Sequence, residues 1–228
     1  MTRESPSEKI DLNNPPLPLK PTDHLILSTP DSQFHPITWT DLHHIITHNT
    51  LGDLKRRPSD LHRYLLWARE IRQTHGGIVP YVIRERLEWD PVPDPTGLTS
   101  GPYFKHYSDV PFEDERDFAV LLNDWPYGFE PGITHLLVWS KTPIATDDGE
   151  GDVTPESRRL IHDFVQKFFV KDLGGDEAAR QRVQWFKNWV SLQSVRGVDH
   201  VHVLIKDATP ELLEKWTERK DIPLSLRT

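Results

Sequence analysis

Two histidines two residues apart, His200 and His202, lie in the apolar run Asp199-His200-Val201-His202-Val203-Leu204-Ile205, close behind a polar Gln193-Ser194 step. Such a run reads as a β-strand. Side chains along a strand alternate faces, so both imidazoles share one side while Val201, Val203 and Ile205 share the other. An imidazole titrates near neutrality, and it can take up a proton, attack an activated acyl or phosphoryl group, or ligate a metal. The competing explanation is a pair of half-exposed histidines at a sheet edge, bonded to water or carbonyls. His135, in the separate run Thr134-His135-Leu136-Leu137-Val138-Trp139, is a third imidazole. Three separated histidines without a carboxylate pattern do not make a metal centre, so no metal and no cofactor are expected.

Carboxylates and aromatics gather in the turn Asn123-Asp124-Trp125-Pro126-Tyr127-Gly128-Phe129-Glu130-Pro131-Gly132. Turn chemistry explains Asp, Pro and Gly there, but not the rings, which either pack under a sheet edge or line a pocket. Asp117, Asp124 and Glu130 together offer the planar acceptors that a guanidinium or ammonium group needs. Lys141 and Lys187 are the cations nearest the histidine strand and could bind phosphate or polarise a carbonyl; a lysine guarding a sheet edge is the alternative. Lys55, Arg56, Arg57 and Arg63 open a basic region running to Arg86, readable as a docking face or as the solvated side of an amphipathic helix. The acidic stretch Asp147–Asp152 lacks the spacing of a calcium loop and reads as a solvated turn.

These residues need a scaffold. The segment 1–35, with Asn14-Pro15-Pro16-Leu17-Pro18, reads as an extended Pro-rich arm, because proline breaks both ladders and helix interiors. Residues 36–100 read as helical. Thr40 caps a short helix, Ser59 caps a longer one whose Leu61, Tyr64, Leu65, Ala68 and Ile71 form one stripe ending at Gly76-Gly77, and a third runs from Val79 to about Trp89. Residues 101–228 read as a sheet core. Its strands are Phe118–Leu122, Thr134–Trp139, Val183–Trp189 and His200–Lys206, with helices opened by Thr154-Pro155-Glu156 and Thr209-Pro210-Glu211. The mixture of hairpin-scale and helix-scale connections predicts an α+β fold around an antiparallel sheet, in a single domain over 1–228.

Composition narrows the function classes. The chain has no cysteine, which removes disulfides, thiolate nucleophiles and zinc–thiolate sites. A net charge of −8 argues against a general nucleic-acid coat. No apolar run is long enough to span a bilayer and no signal-like core opens the chain, so a cytoplasmic protein without membrane contact is expected.

Two resemblances follow from longer motifs. His135 with its strand, Gln193-Ser194-Val195 and then His200-Val201-His202 resemble a degenerate histidine-triad nucleotide-binding domain. In that family the middle histidine of His-x-His-x-His is the nucleophile and a Gln-Ser step lines the phosphate pocket. His200 would be the middle residue and His202 the last. Val198 stands in the first position, and four residues separate Val195 from His200. Over nearly the whole length, Asp53-Leu54-Lys55-Arg56, Arg63-Tyr64, Asn123-Asp124-Trp125-Pro126-Tyr127-Gly128, Trp139-Ser140-Lys141 and Trp185-Phe186-Lys187-Asn188-Trp189 resemble the fungal N-acetylglucosamine-induced protein 1-like family. The arginine-containing cyclodipeptide synthases belong to or border that family.

That second resemblance implies an aminoacyltransferase of fungal secondary metabolism. Its partners would be arginyl-tRNA and a second aminoacyl-tRNA or amino acid, joined as a diketopiperazine. His200, with His202 and Asp124, would be catalytic. Asp124 and Glu130 would hold the guanidinium, with Asp117, His135, Lys141, Lys187, Gln193 and Ser194 around the substrate. Trp125, Tyr127 and Trp189 would stack the terminal adenine or the second amino acid, and Lys55, Arg56, Arg57 and Arg63 would dock the tRNA acceptor stem. The triad resemblance implies a nucleotide hydrolase or transferase instead, and the missing first histidine leaves room for a non-catalytic regulatory module.

Overall fold

A computed structural model describes residues 15, 19, 21–97, 101–149 and 151–217. Its centre is a four-stranded antiparallel sheet of β1 (Phe118–Leu122), β2 (Ile133–Ser140), β3 (Val183–Phe186) and β4 (Asp199–Lys206), in the order β1-β2-β4-β3. The α+β expectation is met. The histidine strand is interior rather than at an edge, pairing with β2 on one side and β3 on the other. Both histidines are buried, which rules out the half-exposed edge pair.

Period-two alternation divides the sheet. Val120, Leu136, Val138, Val201, Val203 and Ile205 turn to one side and pack against α5 (Pro155–Val165), the π-helical turn Gln166–Val170 that continues it, and α7 (Pro210–Thr217). The registers Trp139↔His200, Leu137↔His202 and His135↔Leu204 place the imidazoles among aromatic and aliphatic neighbours on the other side. Over this second side lie α3 (Pro58–His75) and α4 (Ile78–Tyr81), the latter running on into a π-helical turn at Val82–Leu87. A short α6 (Glu177–Arg180) precedes β3.

Several boundaries moved for identifiable reasons. The first of the expected short helices, α2 (Trp39–Thr47), is capped by Thr38 rather than Thr40, because Thr38 and Asp41 form a reciprocal capping box. α3 begins with Pro58 at its first turn, where a missing N–H costs nothing, so Ser59 lies inside the helix; Gly76 closes it in the left-handed region. The third strand stops at Phe186, three residues short of Trp189. Within the segment expected to be an extended arm, Pro21–Leu27 is a helix, α1, whose Ile26 packs with Leu61, Tyr64, Leu65 and Trp125. Of the Pro-rich run before it, only Pro15 and Leu19 fall among the described residues.

Candidate functional site

The histidine side of the sheet is not filled. Between β1, β2, β4 and the helices above them lies a cavity of about 540 Å³, within the size range of ligand sites. His200 and His202 line its floor, Asp124, Trp125 and Tyr127 come from the turn after β1, and Gln193 and Ser194 from the segment leading into β4. Close backbone approach positions both flanking segments. At Gly128 an added Cβ would stand 2.4 Å from the Phe34 ring, so only glycine lets the turn dock against residues 34–57, where Gly128 N donates to Lys55 O at 2.9 Å. At the other segment Gly197 takes φ 87°, turning the chain from Gln193-Ser194 into the strand.

His200 is held by two contacts. Its Nδ1 lies 2.9 Å from Val198 O, so Nδ1 carries the proton and Nε2 keeps its lone pair. Its ring packs on Trp139 with centroids 4.4 Å apart. Burial pushes its pKa down to about 4, the nearby Lys187 adding to the effect, and the ring is neutral at pH 7. A neutral imidazole with a free Nε2 is a base or nucleophile in its active protonation state.

His202 belongs to a buried relay. Asn188 Nδ2 donates to His202 Nε2 at 3.1 Å, which leaves the proton on Nδ1, and Nδ1–H donates to His135 Nε2 at 2.8 Å. The same Asn188 amide reaches Tyr127 Oη at 3.2 Å. Phe186 stacks on His202 with centroids 4.6 Å apart. Desolvation drives His202 well below its ordinary pKa and His135 down to about 3, with Arg56 adding to both. Both rings are therefore neutral hydrogen-bonding groups. His135 sits one layer behind the cavity, as support for His202.

Charges in this region are mostly committed. Asp124 lines the cavity, but its carboxylate already meets a guanidinium, that of Arg86, with Nε 2.9 Å from Oδ2. Lys187 is buried behind His200 and pairs with Asp199 at 3.0 Å; Asp199 also accepts from Ile144 N, on the side away from His200. Arg56 Nε donates to Trp125 O at 3.1 Å and its guanidinium lies over the rings of Tyr64 and Tyr127, at 4.3 and 5.5 Å. Lys55 and Arg56 line the cavity, whereas Arg57 is exposed at the start of α3 and Arg63 points outward to Asp60.

Besides His135 and Lys187, four more expected substrate residues lie off the cavity. Asp117 is fully buried and accepts from Tyr107 N and Ser108 N, anchoring the loop before β1. Glu130 accepts from Trp39 N at the start of α2. Lys141 donates to Arg116 O and sits over Trp89. Trp189 leaves the strand and donates to Asn49. In each case a local backbone group or neighbouring side chain claims the polar atom before it can reach the cavity. The cavity also takes residues that the sequence did not single out as a site. Asp23, Tyr64, Trp67, Arg86, Trp139, Asn188 and Arg196 all line it. Asn188 and Trp139 each had a signal, their places in Trp185-Phe186-Lys187-Asn188-Trp189 and Trp139-Ser140-Lys141, but only β-register sets Trp139 opposite His200.

Among the buried polar atoms on cavity-lining residues, Trp125 Nε1, Trp139 Nε1 and Asn188 Oδ1 have no hydrogen-bond partner among the described residues. Buried polar groups are normally satisfied, so two donors and an acceptor left open around one cavity are what a ligand site provides. Among the described residues no group of three or more His, Cys, Asp or Glu side chains is arranged to hold a metal, and no helix is long and apolar enough to cross a membrane.

Comparison with known proteins gives this chain relatives. The chain is 31% identical over 188 residues to N-acetylglucosamine-induced protein 1 of Candida albicans, covering 79% of this chain and 72% of that protein. It is 28% identical over 167 residues to the uncharacterized protein YPL067C of Saccharomyces cerevisiae, covering 73% and 77% respectively. The crystal structure of HTC1 superposes with a TM-score of 0.56 at 25% identity, over 79% of this chain and 93% of the other. A family model described as "Protein of unknown function (DUF3605)" matches residues 38–206, a span holding the whole sheet, both histidines and most of the cavity wall, and the chain belongs to that family.

Proposed function

We propose that this protein is an aminoacyl-tRNA-dependent cyclodipeptide synthase, joining arginine from arginyl-tRNA to a second amino acid as a diketopiperazine. The carrying observation is His200: a neutral imidazole with a lone pair on Nε2, in a cavity whose wall holds both carboxylates and an excess of cations. Each part has a use in this chemistry. Nε2 accepts the proton lost when the α-amine of one aminoacyl group attacks the ester carbonyl of the other, and the departing ribose oxygen takes a proton as the first tRNA leaves. The remaining free α-amine then attacks the second ester, closing the six-membered ring and releasing the second tRNA. Two ester bonds become two amides, with no external oxidant or energy source. With Asp124 taken by Arg86, Asp23 is the wall carboxylate placed to meet a cationic amino acid, and Lys55 and Arg56 meet the phosphates of the acceptor end. Charged tRNA places such a reaction in the cytoplasm of a fungal cell making secondary metabolites.

The test is reconstitution with arginyl-tRNA and a mixture of other charged tRNAs, read by mass spectrometry. Cyclo-arginyl dipeptides are expected, and His200→Ala is expected to cut their formation by about 10²–10⁴-fold. Full charging with no product defeats the proposal. A second reading draws on Gln193 and Ser194, which line the same cavity as His200. These are the groups that the histidine-triad resemblance assigns to phosphate, with His200 as the nucleophile on an α-phosphate. Turnover of a dinucleoside polyphosphate or an aminoacyl-adenylate, abolished by His200→Ala, would favour it over the first.

A further inference from the structure

Arg56 stands apart from the other cations packed near the histidines. Arg86 has Asp124 and Lys187 has Asp199, whereas Arg56 has no carboxylate partner among the described residues. Its position is nevertheless fixed, by the Trp125 carbonyl and by the rings of Tyr64 and Tyr127. A guanidinium has five N–H donors in a planar fork, so one bond to a carbonyl leaves most of them unspent. A charge held this firmly, half-buried and without a carboxylate partner among the described residues, is suited to receiving an anion.

The surrounding wall says which anion. Lys55, Arg56, Arg86 and Arg196 line the cavity against Asp23 and Asp124, with the histidines neutral, so cations exceed acids by two in a chain whose overall charge is −8. A nucleotide phosphate, −1 as the diester of a tRNA end and about −1.5 to −2 as a monoester, is an anion that a guanidinium fork with further cations beside it can hold. Beside Arg56 stands the aromatic cluster of Tyr64, Trp67 and Trp125, with ring centroids 5.4–5.8 Å apart, and the open Trp125 Nε1–H is in the same place. Rings next to a cation suit a nucleobase next to its phosphate.

We propose that Arg56 anchors the phosphate of a nucleotide inside this cavity, with the Tyr64–Trp67–Trp125 cluster taking the base. This moves Arg56 from an outer docking face to the interior of the site. The proposal rests on the nucleotide-ended substrate of the reading above, but not on which bond is broken.

The experiment titrates the full chain with adenosine 5′-monophosphate, adenosine and free arginine, by calorimetry and tryptophan fluorescence, at low and high salt. The monophosphate is expected to bind at least tenfold more tightly than adenosine, with the advantage shrinking in salt. Arg56→Ala is expected to erase that advantage and Arg56→Lys to restore part of it, since lysine keeps the charge but not the fork. Equal binding of monophosphate and adenosine by the unaltered chain overturns the proposal whether or not any variant folds. So does an advantage that survives in Arg56→Ala, or an Arg56 dependence seen for free arginine, bound through its carboxylate, in place of the monophosphate. Loss of the phosphate preference with turnover intact sinks this assignment alone. A retained preference without cyclodipeptide sinks only the reaction.

Discussion

The two sides of the sheet are built from the same strands and do opposite things. On one, Val201, Val203 and Ile205 interlock with Val120, Leu136 and Val138 and are sealed by Ile161, Phe164, Val165 and Phe169, hydrocarbon against hydrocarbon. On the other, the residues between them, His200 and His202, meet Trp139, Phe186, Asn188 and His135 around open space. The first side has every reason to be full, because each missing methylene there costs both transfer energy and a void. The second carries buried imidazoles, unmatched indole N–H groups and committed ion pairs, all of which cost stability. The contrast teaches that stability comes from one side and is spent on the other.

Three measurements sharpen or break that contrast. Phe169→Ala, at a fully buried ring on the hydrocarbon side, should lose about 3–5 kcal/mol in denaturant unfolding while leaving monophosphate binding to the folded protein unchanged. A matching loss of binding would mean the two sides are coupled.

Acid should strike the other side. His135 and His200 have folded pKa values lowered to about 3 and about 4, and His202 is lowered well below 6.5, so beneath pH 6.5 the unfolded chain binds more protons than the folded one. Their contribution is therefore intact above pH 6.5 and lost as pH falls towards 4. Each such histidine adds a slope of up to about 1.4 kcal/mol per pH unit in that window. Unfolding midpoints at pH 7, 6 and 5 measure it, and His202→Phe should flatten the slope by about one histidine's share. Phe169→Ala should shift the curve without changing its slope.

The smallest effect belongs to neither side. Thr38→Ala removes the capping box of α2 and should cost about 1 kcal/mol, with the acid slope and ligand binding both unaltered. A larger change would show that α2, packed over β3, supports the histidines more directly than its contacts suggest.

Much of this was legible beforehand. Alternation put His200 and His202 on one side of a strand, and the 3.6-residue stripe of Leu61, Tyr64, Leu65, Ala68 and Ile71 named the inner face of α3, where all five are buried. The turn at Asn123–Gly128 was marked by rings that turn chemistry does not need, and Trp125 and Tyr127 do line the cavity. Asp117, Glu130, Lys141 and Trp189 were misplaced for a common reason. A polar side chain is claimed by whichever partner the fold brings within reach, and those partners, such as Tyr107 N or Trp39 N, carry no signature in the residue itself.

Local sequence therefore determined periodicity, caps and turns, because these depend on interactions within a few residues. Only the tertiary structure decided that Trp139 lies against His200, that Arg86 occupies Asp124, and that Arg56 turns inward to Tyr64 and Tyr127 without a carboxylate partner among the described residues. Those are pairings across long stretches of chain, set by strand register and helix packing, and they determine which of many polar residues are left facing the cavity.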